Sequence, residues 1–321
     1  MKFRKEVNPI MVREKIALQP RNAVKWSRGK ITLLAMTLPS FLIVLLFSYG
    51  PIFGWMYAFF DYRIGMRMSD AAFSGLKYFR IALESPDLLR VVRNTLALSI
   101  LSLLNIPIAA AMAIFLSEVG SKLFRKFVQS ATTLPYFISW IIVYAIFFSF
   151  FAPDSGYINH VLMKLGWIEA PMDPLGNNDL VWFVQTFISI WKNMGYNAII
   201  FFAAIVSIDQ EQYDAASVDG AGRFRSMRHI TVPGIMPTFI VLLLINIGFL
   251  LSNGFDQFYV FYNPLVSENI EVLDYYVYRV GLIQGDVPVA TAISVVKTVI
   301  SVLLVFGASL LSRRATGKSI I

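Results

Sequence analysis

Six apolar runs, each of about 20 residues or more and so long enough to cross roughly 30 Å of hydrocarbon, constrain this chain more than anything else in it. They fall at about 31–58, 94–117, 127–151, 180–207, 235–252 and 289–311. Stretches such as Ile240-Val241-Leu242-Leu243-Leu244-Ile245 are apolar on every face, whereas barrel strands would be shorter and alternate in polarity. The expected fold class is an all-α integral membrane protein with six transmembrane helices. Only 15% of the residues are charged, against roughly 25% in soluble domains, too few to cover a water-facing surface. The first run exceeds 20 residues and lacks a small-x-small cleavage site, which reads as a retained span rather than a signal peptide.

Lysine and arginine are retained on the cytoplasmic side, so the connecting pieces set the orientation. Residues 1–30, 118–126, 208–234 and 312–321 hold 18 basic against 7 acidic residues. The loops 59–93, 152–179 and 253–288 hold 8 basic against 13 acidic, and Lys192 and Lys297 fall inside spans. Both termini are therefore expected in the cytoplasm. The domain organisation follows: a basic N-terminal segment 1–30, a six-helix domain 31–311 with a cytoplasmic loop 208–234, and a tail 312–321. The net charge of +8 is then a topology signal. Nucleic acid is excluded as a partner, because the basic residues are not interleaved with aromatics on a soluble domain.

Enzyme chemistry finds no footing. The absence of cysteine excludes disulfides and thiolate metal sites. His160 and His229 fall on opposite sides of the membrane in this topology and cannot share a metal. Gly317-Lys318-Ser319 ends like a phosphate loop, but Ser312 stands where its first glycine is required. No catalytic residue, metal site or cofactor bound by this chain is expected. A transporter without a nucleotide site must use an ion gradient or a separate ATPase.

Charged and amide side chains inside a span are costly and point to function by default. Lys192 lies about 18 Å from the outer end of the fourth run and Lys297 about 12 Å into the sixth, at the α-helical rise. Gln185, Ser189, Lys192 and Tyr196 are spaced to share one helical face, with Asn193 and Asn197 flanking it. Asn246 and Asn253 add amides on the fifth run. Such a stripe must face protein or a wet cavity, because lipid offers no hydrogen-bond partners. One reading is a sugar path, with hydroxyls meeting the amides and uronate carboxylates drawn to the lysines. The other is interhelical bonding, with each lysine snorkelling or paired to an acid. Trp191, Tyr196 and Phe255 are the aromatics placed to stack on a sugar ring, and Asp256 adjoins them.

The stretch 209–237 has acidic residues suited to a helix start, Gly220 suited to a helix end with positive φ, and Pro233 and Pro237 before the fifth run. It reads as a short helix, a glycine break and a second short helix. Within it, Asp214-Ala215-Ala216-x3-Gly220-x9-Ile230-x-Val232-Pro233 resembles the EAA-x3-G-x9-I-x-L-P loop of the membrane subunits of binding-protein-dependent ABC importers. Asp for Glu at 214 and Val for Leu at 232 are mild departures. The resemblance extends along most of the chain, through Arg93-Asn94-Thr95, Leu134-Pro135-Tyr136, Trp191-Lys192, Gly254-Phe255-Asp256-Gln257 and Asp274-Tyr275-Tyr276-Val277-Tyr278-Arg279, and is closest to the carbohydrate-uptake branch. It implies a type I importer permease-like fold in the bacterial inner membrane, with the loop acting as a coupling helix seated on an ATPase subunit. The implied partners are a second homologous permease, two copies of an ATP-binding subunit that carry ATP and Mg, a solute-binding protein, an oligosaccharide and the lipid bilayer. The acidic outer loops 152–179 and 253–288 would be the docking surfaces for the binding protein. The competing readings are a proton- or sodium-driven transporter, which would ask for carboxylates inside the spans, and a membrane enzyme acting on lipid-linked sugar, which would ask for clustered acids or histidines.

Overall fold

The computed structural model describes residues 28–316; among them the only sheet-like pairing is one bridge between Phe60 and Phe73. Residues 1–27 of the basic segment, and Gly317-Lys318-Ser319 in the tail, lie outside the described residues. The chain divides into two units after Gly54. In the first, α1 (Arg28–Val44) passes through a π turn, Leu45–Tyr49, into a 3-10 segment that starts at Gly50. The stretch Thr32–Phe59 is long and apolar enough to cross a membrane.

The second unit is a succession of helices: α2 (Lys77–Glu84), α3 (Pro86–Ser102), α4 (Asn105–Glu118), α5 (Lys122–Thr133), α6 (Trp140–Phe151) and α7 (Tyr157–Lys164). Then come α8 (Val181–Val206), α9 (Gln210–Val218), α10 (Arg223–Ser226), α11 (Val232–Gly248), α12 (Phe255–Phe261), α13 (Ser267–Ile270), α14 (Leu273–Tyr278) and α15 (Val287–Thr316). Besides the first, Pro86–Glu118, Arg223–Gly248 and Val287–Leu310 are long and apolar enough to span. The second and fifth spans thus begin well before the expected 94 and 235. The separate second short helix of the 209–237 stretch is absorbed, because α10 runs through a π turn, Met227–Thr231, directly into α11.

The expected straight span 127–151 is instead two helices, α5 and α6, that meet at 107°. Local sequence accounts for the break. Leu134–Phe137 tightens into a 3-10 turn around Pro135, and Ser139 caps the new helix by accepting from the Ile142 N–H at 3.4 Å. At 26 residues α8 is long enough to span, but Gln185, Lys192, Asn193 and Asn197 lower its hydropathy and it falls outside the apolar set.

Three apolar cores hold the second unit. Ala109, Ala110 and Ala113 of α4 meet Ala198, Phe201 and Ile205 of α8, small residues that let two backbones close up. Val143 and Phe147 of α6 pack with Ile188, Phe258, Phe261 and Tyr275. Ala58, Ala82, Val91, Tyr276, Val289 and Ala292 make the third. An ion network ties the 267–279 segment to α3. Glu271, 2% exposed, accepts from Arg279 at 2.6 Å and Arg90 at 3.1 Å, while Asn94 donates to the Glu268 and Glu271 carbonyls. A buried carboxylate is tolerable only with such pairing.

α8 and the end of α5 touch backbone to backbone. A Cβ at Gly195 would sit 2.1 Å from the Thr132 carbonyl oxygen and 2.3 Å from its carbon, and backbone cannot swing away as a side chain can. Gly195→Val is expected to destabilise the fold by about 1–3 kcal/mol or more, read as a lower thermal midpoint in detergent. An unchanged midpoint would contradict the close approach.

Candidate functional site

Successive residues four apart on α8 drift only slowly around the helix, so Gln185, Ser189, Asn193 and Asn197 line one side. Together with Ser99, Ser102 and Asn105 from α3 and α4, Asn246 from α11, and Asn253 and Gln257 around the start of α12, they enclose a cavity of about 260 Å³. That is just below the usual range of ligand pockets, about 300–1,000 Å³. The lining is amides and hydroxyls on an apolar floor of Leu98, Ile106, Phe201 and Phe258. Five of the residues expected on a substrate path meet here: Gln185, Asn193, Asn197, Asn246 and Asn253.

Their amides are held in place by neighbours. Gln257 donates to the Gln185 Oε1 at 2.9 Å and to its backbone carbonyl at 3.0 Å, both residues being buried. Asn197 donates to Asn105 at 3.0 Å, Asn193 to the Ser189 carbonyl at 2.8 Å, and Asn246 to the Leu242 carbonyl at 2.8 Å. Two cavity oxygens, Thr186 Oγ1 and Asn253 Oδ1, have no partner among the described residues.

The lysines stand apart from this cavity. Lys192 and Tyr196, expected on the same stripe, lie to one side of it and press on the α5–α6 bend. Lys192, 5% exposed, donates to the carbonyls of Pro135, Tyr136 and Ile138 at 2.9, 2.9 and 2.6 Å. Lys297 pairs with Asp274, 23 residues before it, and lines a different cavity beside α11 and α15 with Ser252, Ser294 and Ser301. The aromatics are engaged with one another. Tyr196 stacks on Tyr136 at 3.9 Å with the rings nearly parallel, Trp191 meets the edge of Phe147 at 5.4 Å, and Phe255 packs on Tyr259 and Tyr278. Asp256 is an exposed residue in the first turn of α12. Ser99, Asn105 and Gln257 were missed in the sequence; Gln257, next to Asp256, carried a signal, since a buried amide among aromatics needs a partner.

α9 opens four residues after α8 ends and stands exposed. Asp209 caps it, accepting from the Glu211 N–H at 3.0 Å. Gly220 closes it with φ at +74°, its N–H bonded to the Ser217 carbonyl at 3.1 Å and that of Ala221 to Ala216 at 2.8 Å. This is the paired closure that a glycine in the left-handed region permits. Asp214 and Ala215 are exposed, and Val218 and Phe224 on either side of the turn are 88% and 73% exposed. Ala216 and Ile230 line a hollow with Asp219, Arg225 and His229, and Tyr213 bonds to Thr231 at 3.0 Å to hold α9 against the helix that follows. Pro233 directly follows the π turn Met227–Thr231, inside the continuous helical run Arg223–Gly248.

A helical chain with several stretches long and apolar enough to cross a membrane thus carries an amide-lined cavity and, four residues past α8, an exposed, glycine-closed helix. The chain belongs to the family described as binding-protein-dependent transport system inner membrane component, whose pattern it matches over residues 105–317. It is 38% identical over 282 residues to Protein LplB of Bacillus subtilis (strain 168), covering 87% of each chain. It is 37% identical, with the same coverage, to the polygalacturonan/rhamnogalacturonan transport system permease protein YteP of that organism. Among solved structures it is similar to a chain of a bacterial alginate ABC transporter in complex with alginate pentasaccharide-bound periplasmic protein. That match has a TM-score of 0.82 and 34% identity, and covers 91% of this chain and 97% of the other. The architecture is that of a type I importer permease, an inner-membrane transport subunit and not an enzyme.

The cavity amides divide into two kinds. Gln185→Leu removes one of the two acceptors of the buried Gln257 amide, leaving the backbone carbonyl, and is expected to cost about 1 kcal/mol. Asn246→Leu, at an exposed amide bonded only to its own helix, should stay within about 0.5 kcal/mol. Thermal midpoints of the two variants check this; equal shifts would contradict the pairing.

Proposed function

We propose that this chain is the membrane-spanning permease of an ATP-driven importer that moves oligosaccharides, uronate-containing chains such as alginate among them, from a solute-binding protein into the cytoplasm. The observation that carries the reading is mechanical. One unbroken helix, α8, bears the cavity amides on its wall and leads within four residues to the exposed helix α9. Motion received by α9 therefore reaches the cavity through a rigid element.

The working assembly pairs this chain with a second homologous permease and two ATP-binding subunits, on which ATP and Mg are bound. On a count of six spans, with α8 and the bent α5–α6 pair taken as two of them, both termini and α9 face the cytoplasm, a reading that the charge distribution supports. Asp214, Ala215, Ala216, Gly220, Ile230 and Pro233 form the ATPase-facing unit. The exposed Val218 and Phe224 give it an apolar grip. Gln185, Asn193, Asn197, Asn246 and Asn253 offer donors and acceptors to sugar hydroxyls. Ion-gradient-driven transport is disfavoured by family membership, and Asp274, the carboxylate held against α15, is neutralised by Lys297.

Two experiments test the reading. In vesicles, uptake of labelled alginate, galacturonan or rhamnogalacturonan trisaccharide should require the ATPase subunits and ATP; uptake that persists without them would refute it. Gly220→Val should leave ATP hydrolysis running while uptake falls, since a β-branched residue at φ +74° costs about 1–2 kcal/mol and reshapes the turn. Unchanged uptake per ATP would remove α9 from the coupling role.

A further inference from the structure

We propose that Lys192 is a positioning residue for transport, a tethered cation that holds the α5–α6 bend against α8 so that the bend follows α8 when the cavity changes shape. The bend leaves the carbonyls of Tyr136 and Ile138 without the N–H partners a continuing helix would supply, and that of Pro135 with only a 3.4 Å bond from the Ile138 N–H. In hydrocarbon such groups must be satisfied from within the protein. An ammonium has three N–H donors, and all three of those of Lys192 are used here, at 2.9, 2.9 and 2.6 Å.

The surroundings suit a cation. The ammonium lies 5.2 Å from the centre of the Trp140 ring and 5.9 Å from that of Tyr136, within the range where a ring face attracts positive charge. Among the described residues no carboxylate pairs with it. The charge is therefore balanced by carbonyl dipoles and ring faces, as a bound metal cation would be, but on a stem that fixes it to α8. The same few residues of α8 complete the grip. Gly195 admits the Thr132 carbonyl and Tyr196 stacks on Tyr136.

The clamp and the cavity are thus two sides of one helix, Lys192 and Tyr196 gripping the bend while Ser189, Asn193 and Asn197 line the wall. Movement of α8 carries both. The inference deepens the importer reading and rests on it for its transport consequence, while its geometric core stands independently.

The chain has no cysteine, so Leu123→Cys on α5 and Phe150→Cys on α6, both exposed, place a unique pair of spin labels across the bend. The assembled complex in lipid nanodiscs, and in vesicles for uptake, is compared with the same complex carrying Lys192→Ala. The variant should show a broadened inter-label distance and uptake of the three trisaccharides at least about tenfold lower. Millimolar n-propylammonium should restore both, and n-propanol, of like size without charge, neither. A wild-type distance and uptake in Lys192→Ala, rescue by the alcohol as well as the amine, or rescue by neither overturns the proposal. Should Lys192→Ala not assemble, Lys192→Arg active with Lys192→Met inactive supports it, and equal uptake by the two overturns it. If the wild-type complex imports none of the sugars, the substrate reading fails while the inter-label distance still decides the clamp.

Discussion

Backbone groups inside a bilayer cannot turn to water, and that constraint organises this permease. Continuous helix satisfies it over α8, α11 and α15. Wherever the helix is interrupted, a side chain from elsewhere meets the freed groups. Lys192 does so at the α5–α6 bend, and Ser99 donates to the Leu250 carbonyl just past the end of α11. The cavity sits beside these interruptions because they are where polar side chains are already required.

The division of labour between amide and charge follows. A lysine in the span region is affordable only with full compensation, and both lysines have it, one from carbonyls and one from Asp274. What remains to face the cavity is uncharged: amides and hydroxyls, each able to donate or accept. Such a wall can follow a flexible chain of hydroxyl groups without trapping it, which transport requires more than tight binding.

Much of this was legible in the chain. The apolar runs located the helical regions, though not the early starts of the second and fifth spans, the amide spacing on α8 located the cavity wall, and Gly220 announced a helix end that its φ of +74° realises. The polar stripe was drawn too wide, however. Helical spacing says which residues share a face but not what packs opposite, and the partners of Lys192 lie 54 to 57 residues away. Asp274 looked like a loop residue in the charge count, since nothing in a linear tally brings it to Lys297. The bend at 138–139 had its signals in Pro135 and Ser139, but an apolar run that continued through them masked the break. Where α11 begins was obscured for the opposite reason, because Arg223, Arg225 and Arg228 are polar yet helical.

The account's central claim is that the amide wall of α8 is alternately open to the two sides of the membrane. It is tested most directly by placing a single cysteine at Asn193 in this cysteine-free chain and measuring its modification by a membrane-impermeant maleimide applied from either side of vesicles holding the complete complex. The predicted result is labelling from one side without nucleotide and from the other when ATP hydrolysis is trapped. Labelling from neither side in any state, or from the same side in both, would contradict it.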